Sequence, residues 1–275
     1  IAVGIAALIL LASGFVSTPS LGFGKKIALV EVKGMIADAT DIVEDLTDFR
    51  KNRKVKAIVI RLDTPGGVVA AAQEIYGELK KAREAGIPVV ASMGGVAASG
   101  GYYIACGADS IFANPGTLTG SIGVIMGFLT AEELFRKVGV EFEIVKTGEY
   151  KDLGTISRRM TDRERSLIQG VIDDAYDQFV NVIATERDLD VDFVKKLADG
   201  RVLTGRQALE VGLVDRLGDL NDAIHAAAQL AGIEGEPTIV RPARDIFSVW
   251  DVIEKLLKTS SNALSRSVRF EYSMW

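Results

Sequence analysis

The sequence predicts an α/β domain built on a largely parallel, buried sheet, and three observations carry that expectation. Apolar runs with little polar alternation, Ile27–Val32 and Val55–Leu62, read as strands covered on both faces. Helical periodicity separates and follows them, near Asp41–Lys51 and again from about Val68 to Ala85. Each connection is long enough for the crossover that parallel strands require.

The remaining elements continue that alternation. A strand over Pro88–Ser92 leads into a short alanine-rich helix that holds Ser99, and Ser110–Ala113 and Phe142–Val145 read as further strands. The longest helix is expected to start at Thr161, where Thr161-Asp162-Arg163-Glu164 has the capping-box pattern. Its stripe of Leu167, Ile168, Val171, Ile172, Ala175, Phe179 and Ile183 has the spacing of a core-facing side. Asp199-Gly200-Arg201-Val202-Leu203-Thr204-Gly205 leads into a short helix stopped by Gly212, and a last helix runs from about Leu220 to Ala231. Beyond Pro237 the pattern breaks, leaving an amphipathic stretch over Ile246–Leu257 and a tail through Arg269-Phe270-Glu271-Tyr272 to Trp275. The expected organisation is an apolar segment and connector over residues 1–24, one main domain over 25–236, and an extension over 237–275 that contacts a neighbouring subunit.

Composition narrows the function classes. Of the 275 residues 48% are apolar, enough for one sizeable core. Net charge is −5, with both signs interspersed and no lysine-arginine block that tracks a phosphate backbone, so nucleic acid is a poor candidate partner. The single cysteine, Cys106, excludes an intrachain disulfide and reads as a small buried hydrophobe, while the single histidine, His225, excludes a His/Cys zinc cluster. No loop has the carboxylate spacing of a magnesium or calcium site, and no cofactor is called for.

Residues 1–24 carry no charged side chain before Lys25-Lys26, and Ile1–Val16 is almost wholly apolar or small. This reads as a membrane anchor, and with no initiating methionine it is expected to start inside a longer hydrophobic segment. Ala12-Ser13-Gly14 also offers the small-x-small pattern of a cleavable signal. Charge does not orient the segment, because its upstream flank is not in the sequence.

The chemistry centres on Ser99, in Gly94-Gly95-Val96-Ala97-Ala98-Ser99-Gly100-Gly101-Tyr102-Tyr103 directly after an apolar strand. A hydroxyl needs a base beside it, and the lone His225 lies in an alanine-rich stretch far along the chain, which disfavours a Ser-His-Asp triad. A lysine whose burial disfavours the ammonium form is an alternative base, and Lys151 stands in Thr147-Gly148-Glu149-Tyr150-Lys151-Asp152. At a helix N-terminus, free N–H groups favour developing negative charge on Ser99. The same position also suits a serine that merely caps the helix. Arg61-Leu62-Asp63-Thr64-Pro65-Gly66-Gly67 is a strand end and turn able to aim an N–H at an oxyanion, or an ordinary β-to-α turn. Ser121, in Leu118-Thr119-Gly120-Ser121-Ile122-Gly123-Val124, is placed to orient a neutral lysine or to serve as a turn residue. Asp152, Arg158 and Arg159 read as surface or interface charges.

In this order the motifs resemble the signal peptide peptidase A family of membrane-bound serine peptidases, in its short single-domain form, over roughly Lys26 to Gly232. The resemblance implies a ClpP/crotonase-like fold with repeated β-β-α units. It implies Ser99 as nucleophile, Lys151 as general base, the N–H groups of Gly66 and Gly100 as oxyanion hole, and Ser121 as holder of the lysine. It further implies cleavage of remnant signal peptides and other hydrophobic or unfolded polypeptides. Assembly is expected as an octameric ring in which one subunit's lysine completes its neighbour's serine site, and the domain is expected on the extracytoplasmic side of a single-pass anchor in the cell membrane. One departure is Thr64, where a serine commonly precedes the proline; backbone donors are unaffected. The tail is similar to the extended ends of short members, and is expected to lie as a strand in or near a neighbour's groove and to be trimmed there. Two rivals remain at this stage: a crotonase-like enzyme holding an acyl-CoA enolate on the same donors, and a catalytically silent ring that binds membrane peptides.

Overall fold

A computed structural model of the chain describes residues 25–243 and the backbone of the strand Val268–Ser273. The segments read as anchor and as amphipathic stretch lie outside the described residues. In chain order the elements are β1 (Lys26–Lys33), α1 (Thr40–Lys51), β2 (Val55–Thr64), β3 (Gly66–Val68), α2 (Val69–Glu84), β4 (Val89–Ala98), α3 (Gly100–Ala105), β5 (Ser110–Ala113), β6 (Leu118–Gly120) and β7 (Ile125–Phe128). They continue with α4 (Glu132–Val138), α5 (Asp162–Arg187), α6 (Val191–Leu197), β8 (Val202–Thr204), α7 (Gly205–Glu210), β9 (Arg216–Leu217), α8 (Leu220–Leu230), β10 (Thr238–Val240) and β11 (Val268–Ser273).

The main sheet runs β10-β1-β2-β4-β5-β9, and every neighbouring pair is parallel. β6 adds to the end of β4 in parallel and β8 closes antiparallel on β6. The strands alternate between two apolar faces, as their period of two demands. Ala28, Val30, Ile58, Ile60 and Leu62 join the core beneath α1, α2, α3 and α5, whereas Ile27, Leu29, Ala57 and Val59 pack with Ala223 and Ala227 of α8. The expected parallel α/β architecture is thus a three-layer arrangement, with the C-terminal ends of β2 and β4 side by side. That end is where open parallel sheets place ligands.

Three expectations are corrected. Ala97 and Ala98 close β4 rather than a helix, so Ser99 stands between the strand and α3. Residues 142–145 form no strand: Phe142 packs on Phe135 at 4.7 Å between ring centroids, while Val145 is 94% exposed, because among the described residues no strand pairs with them. The stripe on α5 is core only in its second half. Ala175, Phe179 and Ile183 are buried, whereas Leu167 and Val171 are exposed, since the described residues do not cover them. Ile168 and Ile172 instead line a groove with Met126 and Phe128.

Phe179 is fully buried and its ring stands 5.1 Å from that of Tyr103, which ties α5 to α3. Phe179→Ala is expected to destabilise the domain by about 3–5 kcal/mol, read as a lower denaturation midpoint at unchanged slope. Among the described residues no helix is long and apolar enough to cross a membrane, and no cluster of metal-ligating side chains occurs.

Candidate active site

Ser99 occupies the joint between β4 and α3 with φ 53° and ψ −116°, a conformation that a residue with a side chain adopts only when its surroundings enforce it. The enforcement is visible. Its N–H donates to Gly120 O at 2.8 Å, its carbonyl accepts from Tyr103 N at 2.9 Å, and β6 flanks β4 at Ala98↔Gly120. The hydroxyl is buried and has no hydrogen-bond partner among the described residues. A capping serine would be extended and would accept an N–H of the first turn. Thr161, Thr204 and Asp219 do this at α5, α7 and α8, and Ser99 does not. The position is a strained strand-to-helix turn at the C-terminal end of a parallel strand.

The glycines around it are dictated by contact. A Cβ on Gly101 would stand 2.7 Å from the Thr64 methyl, and one on Gly100 would stand 3.3 Å from Gly67 N and 3.4 Å from the Gly66 Cα. The Pro65-Gly66-Gly67 turn and the start of α3 therefore meet beside Ser99. Gly100 is the first residue of α3, so its N–H has no partner within the helix. Gly66 has φ 106° and its N–H donates to the Thr64 hydroxyl at 3.1 Å, so the expected donor is engaged. Gly67 differs: Gly66 O and Val68 N are both bonded to Ile36, and strand alternation turns the Gly67 N–H and carbonyl to the opposite side.

On that side runs β11. It pairs antiparallel with β3 of the same chain at Tyr272↔Gly67 and with β7 at Phe270↔Met126. The groove between β3 and β7 thus accommodates an extended chain by main-chain pairing.

Ser121 follows Gly120 at the end of β6, with φ 49°, 6% exposure and its N–H on Arg201 O at 2.8 Å, so the structure brings it to the Ser99 end of β4. Lys151 is not joined to either serine by a hydrogen bond. It lies on the turn of residues 147–154, where its N–H meets Gly148 O at 3.3 Å, and its side chain is exposed. Cys106 is buried and burial pushes its thiol up to about 12, which makes it an inert core group. His225 is exposed on α8.

The model of peptidase family S49 matches residues 81–234, and that of Clp protease matches residues 25–117. The chain belongs to peptidase family S49. It is 50% identical over 211 residues to a Synechocystis sp. protein assigned as a protease, with 76% of each chain covered. It is 38% identical to an Enterococcus faecium protein assigned as a signal peptide peptidase SppA, with 73% of this chain and 62% of that protein covered. Protease 4 of Salmonella typhi is 37% identical, with 81% of this chain and 38% of that protein covered. A membrane-bound stomatin-specific protease matches in structure with a TM-score of 0.56 at 19% identity, covering 81% of this chain and 99% of the other. The fold is accordingly ClpP-like, and the expected membership of the signal peptide peptidase A family holds.

In this S49 peptidase the Lys151 turn is clamped by charges that the sequence did not single out as a unit. Asp152 accepts from Lys146 Nζ at 2.5 Å and from Arg158 Nε at 3.1 Å, and Arg158 also grips both carboxylate oxygens of Glu164 at 2.8 and 2.6 Å. Glu164 is in turn the N3 residue of the α5 capping box, so the clamp ties the turn to the helix start. The hydrogen bonds of Arg158 lower the Glu164 carboxyl from 4.5 to about 2, and those of Arg158 and Lys146 hold Asp152 well below the usual carboxylate range. Arg158→Met is expected to lower kcat about 100-fold with KM little changed, because it displaces the turn without touching the peptide groove. A depressed carboxyl contributes stability above its unfolded pKa and loses it as pH falls through the folded value. The parent therefore loses that stability between about pH 4.5 and 2, and the variant lacks it at neutral pH.

Gly67, in the turn that the sequence singled out with Gly66, is set apart from it by the Ile36 pairing. A Cβ there would lie 2.1 Å from the Ile36 carbonyl oxygen. Gly67→Ala is expected to reduce kcat by about 10²–10³-fold through displacement of its N–H, measured on folded protein by steady-state kinetics.

Proposed function

We propose that this S49 peptidase is a membrane-anchored serine endopeptidase working through Ser99 and Lys151. The observation that carries the reading is Ser99 itself: a buried hydroxyl without a partner, held in a strained conformation that neither capping nor packing calls for. Lys151 Nζ takes the Ser99 proton as Oγ bonds to the peptide carbonyl carbon. The oxyanion is received by the Gly100 N–H and by the Gly66-Gly67 turn, with Gly67 as the donor facing the groove. As the C–N bond breaks, the lysine returns the proton to the leaving amine. Water then attacks the ester, releasing the acid and restoring the serine.

A neutral lysine needs desolvation, and Lys151 is exposed in the single chain. A neighbouring subunit is the source of that cover, so the lysine of one protomer serves the serine of the next, oriented by Ser121, within an octameric ring. The substrate enters as an extended strand in the place of β11. Remnant signal peptides and other hydrophobic or unfolded polypeptides are the substrate class, met on the extracytoplasmic side of the membrane.

The test is cleavage of signal-like hydrophobic peptides and unfolded casein by the full chain in detergent, beside Ser99→Ala protein of equal assembly. Cutting by the parent alone supports the reading; an assembled parent that binds the peptides and cuts none contradicts it.

A further inference from the structure

Arg50-Lys51-Asn52-Arg53-Lys54-Val55-Lys56 is unremarked in sequence because Asn52 and Val55 interrupt it, but the fold extends it into a surface. α1 ends at Lys51 and β2 begins at Val55, so the basic turn between them stands at the N-terminal end of the parallel sheet. β1 starts beside it: Lys26 pairs with Val55 and its N–H donates to Lys54 O at 2.8 Å. Lys25 is thereby added to the same end. Lys51, Arg53, Lys54 and Lys56 are exposed and enter no ion pair among the described residues, whereas Arg50 is engaged by Glu78. Asp48 stands on the last turn of α1 beside this turn, and Glu234 and Glu236 precede β10, whose Thr238 pairs with Lys26. The concentration of positive charge stands out in a chain of net charge −5.

A second feature lies at the same end. The 24 residues that precede Lys25 carry no charged side chain, and they join the domain here, at the first residue of the described chain. Ser99 lies at the other end of the sheet, beyond the ten residues of β4, which span about 33 Å at the rise of a strand.

We propose that the basic end of the domain rests on anionic phospholipid headgroups, with Lys51, Arg53, Lys54 and Lys56 against the phosphates. The contact fixes the orientation of the domain. It holds the Ser99 end about 30 Å above the lipid surface, so that a peptide is cut only after its scissile bond has left the bilayer. The inference rests on the anchoring proposed above.

The test uses the full chain reconstituted in vesicles that carry a headgroup-attached quencher. Cys106 is buried, so a fluorophore can be placed selectively at Lys54→Cys or, as a control, at Gly116→Cys beyond β5, where a Cβ meets nothing within 4 Å. The Lys54→Cys probe is expected to be quenched several-fold more than the control in vesicles containing phosphatidylglycerol, and much less in phosphatidylcholine alone. Adding Lys51→Glu, Arg53→Glu and Lys56→Glu is expected to abolish the difference while the protein still floats with the vesicles. Equal quenching of the two probes in floating protein overturns the surface and leaves the anchor standing. Protein that does not float with either vesicle overturns the anchor, and the surface with it. Lipid-independent quenching, with tight binding of duplex DNA by the patch, reassigns it to another polyanion.

Discussion

Ser99→Ala protein is expected to fold and bind peptide as the parent does, and to cleave it at least about 10⁴-fold more slowly. The loss follows from removing the only atom that attacks, while β3, β7 and α3 keep their places. Stability should move the other way. The Ser99 hydroxyl is buried without a partner, which costs a folded protein about 1–3 kcal/mol, and alanine removes that cost. A higher unfolding midpoint together with lost turnover is the signature of a site strained for function. A serine that merely packed α3 would show the gain in stability without the selective loss of kcat.

Lys151→Met is expected to match that loss, at about 10⁴-fold in kcat, with stability unchanged because the side chain is exposed and makes no hydrogen bond among the described residues. The two inactive proteins are not equivalent once mixed. If serine and lysine come from different subunits, co-assembly of Ser99→Ala with Lys151→Met chains restores a fraction of sites, because each intact serine can meet an intact lysine. Kinetics of mixed assemblies, with subunit exchange confirmed by mass, decide it. Mixtures that exchange subunits and stay inactive place the dyad within one chain.

What the sequence made legible was local. Buried strands β1 and β2 and the helix between them follow from apolar runs and 3.6-residue periodicity, and the α5 start follows from its capping box. The order of the glycine-rich motifs placed Ser99, Gly66, Gly100 and Ser121 in one region, and the structure gathers them at the ends of β2, β4 and β6. The strained backbone of Ser99 was not legible, since it arises from bonds to Gly120 and Tyr103. Nor was the pairing that sets Gly67 apart from Gly66, which depends on Ile36 from a distant loop. Phe142–Val145 and the first half of α5 were misread for one reason: both carry apolar residues that the single chain leaves exposed, so periodicity identified faces without saying what covers them. Arg158 and Glu164 stand six residues apart, a spacing that has no meaning until the turn folds back on the helix.

The central claim is that Ser99 is the nucleophile, and the most direct measurement is peptide-mass mapping of the full chain after reaction with a peptidyl fluorophosphonate. The account predicts a single adduct on the peptide containing Ser99, formed at a rate that falls in step with kcat in Lys151→Met protein. An adduct on another residue, or unimpaired labelling of Ser99→Ala protein, would contradict it.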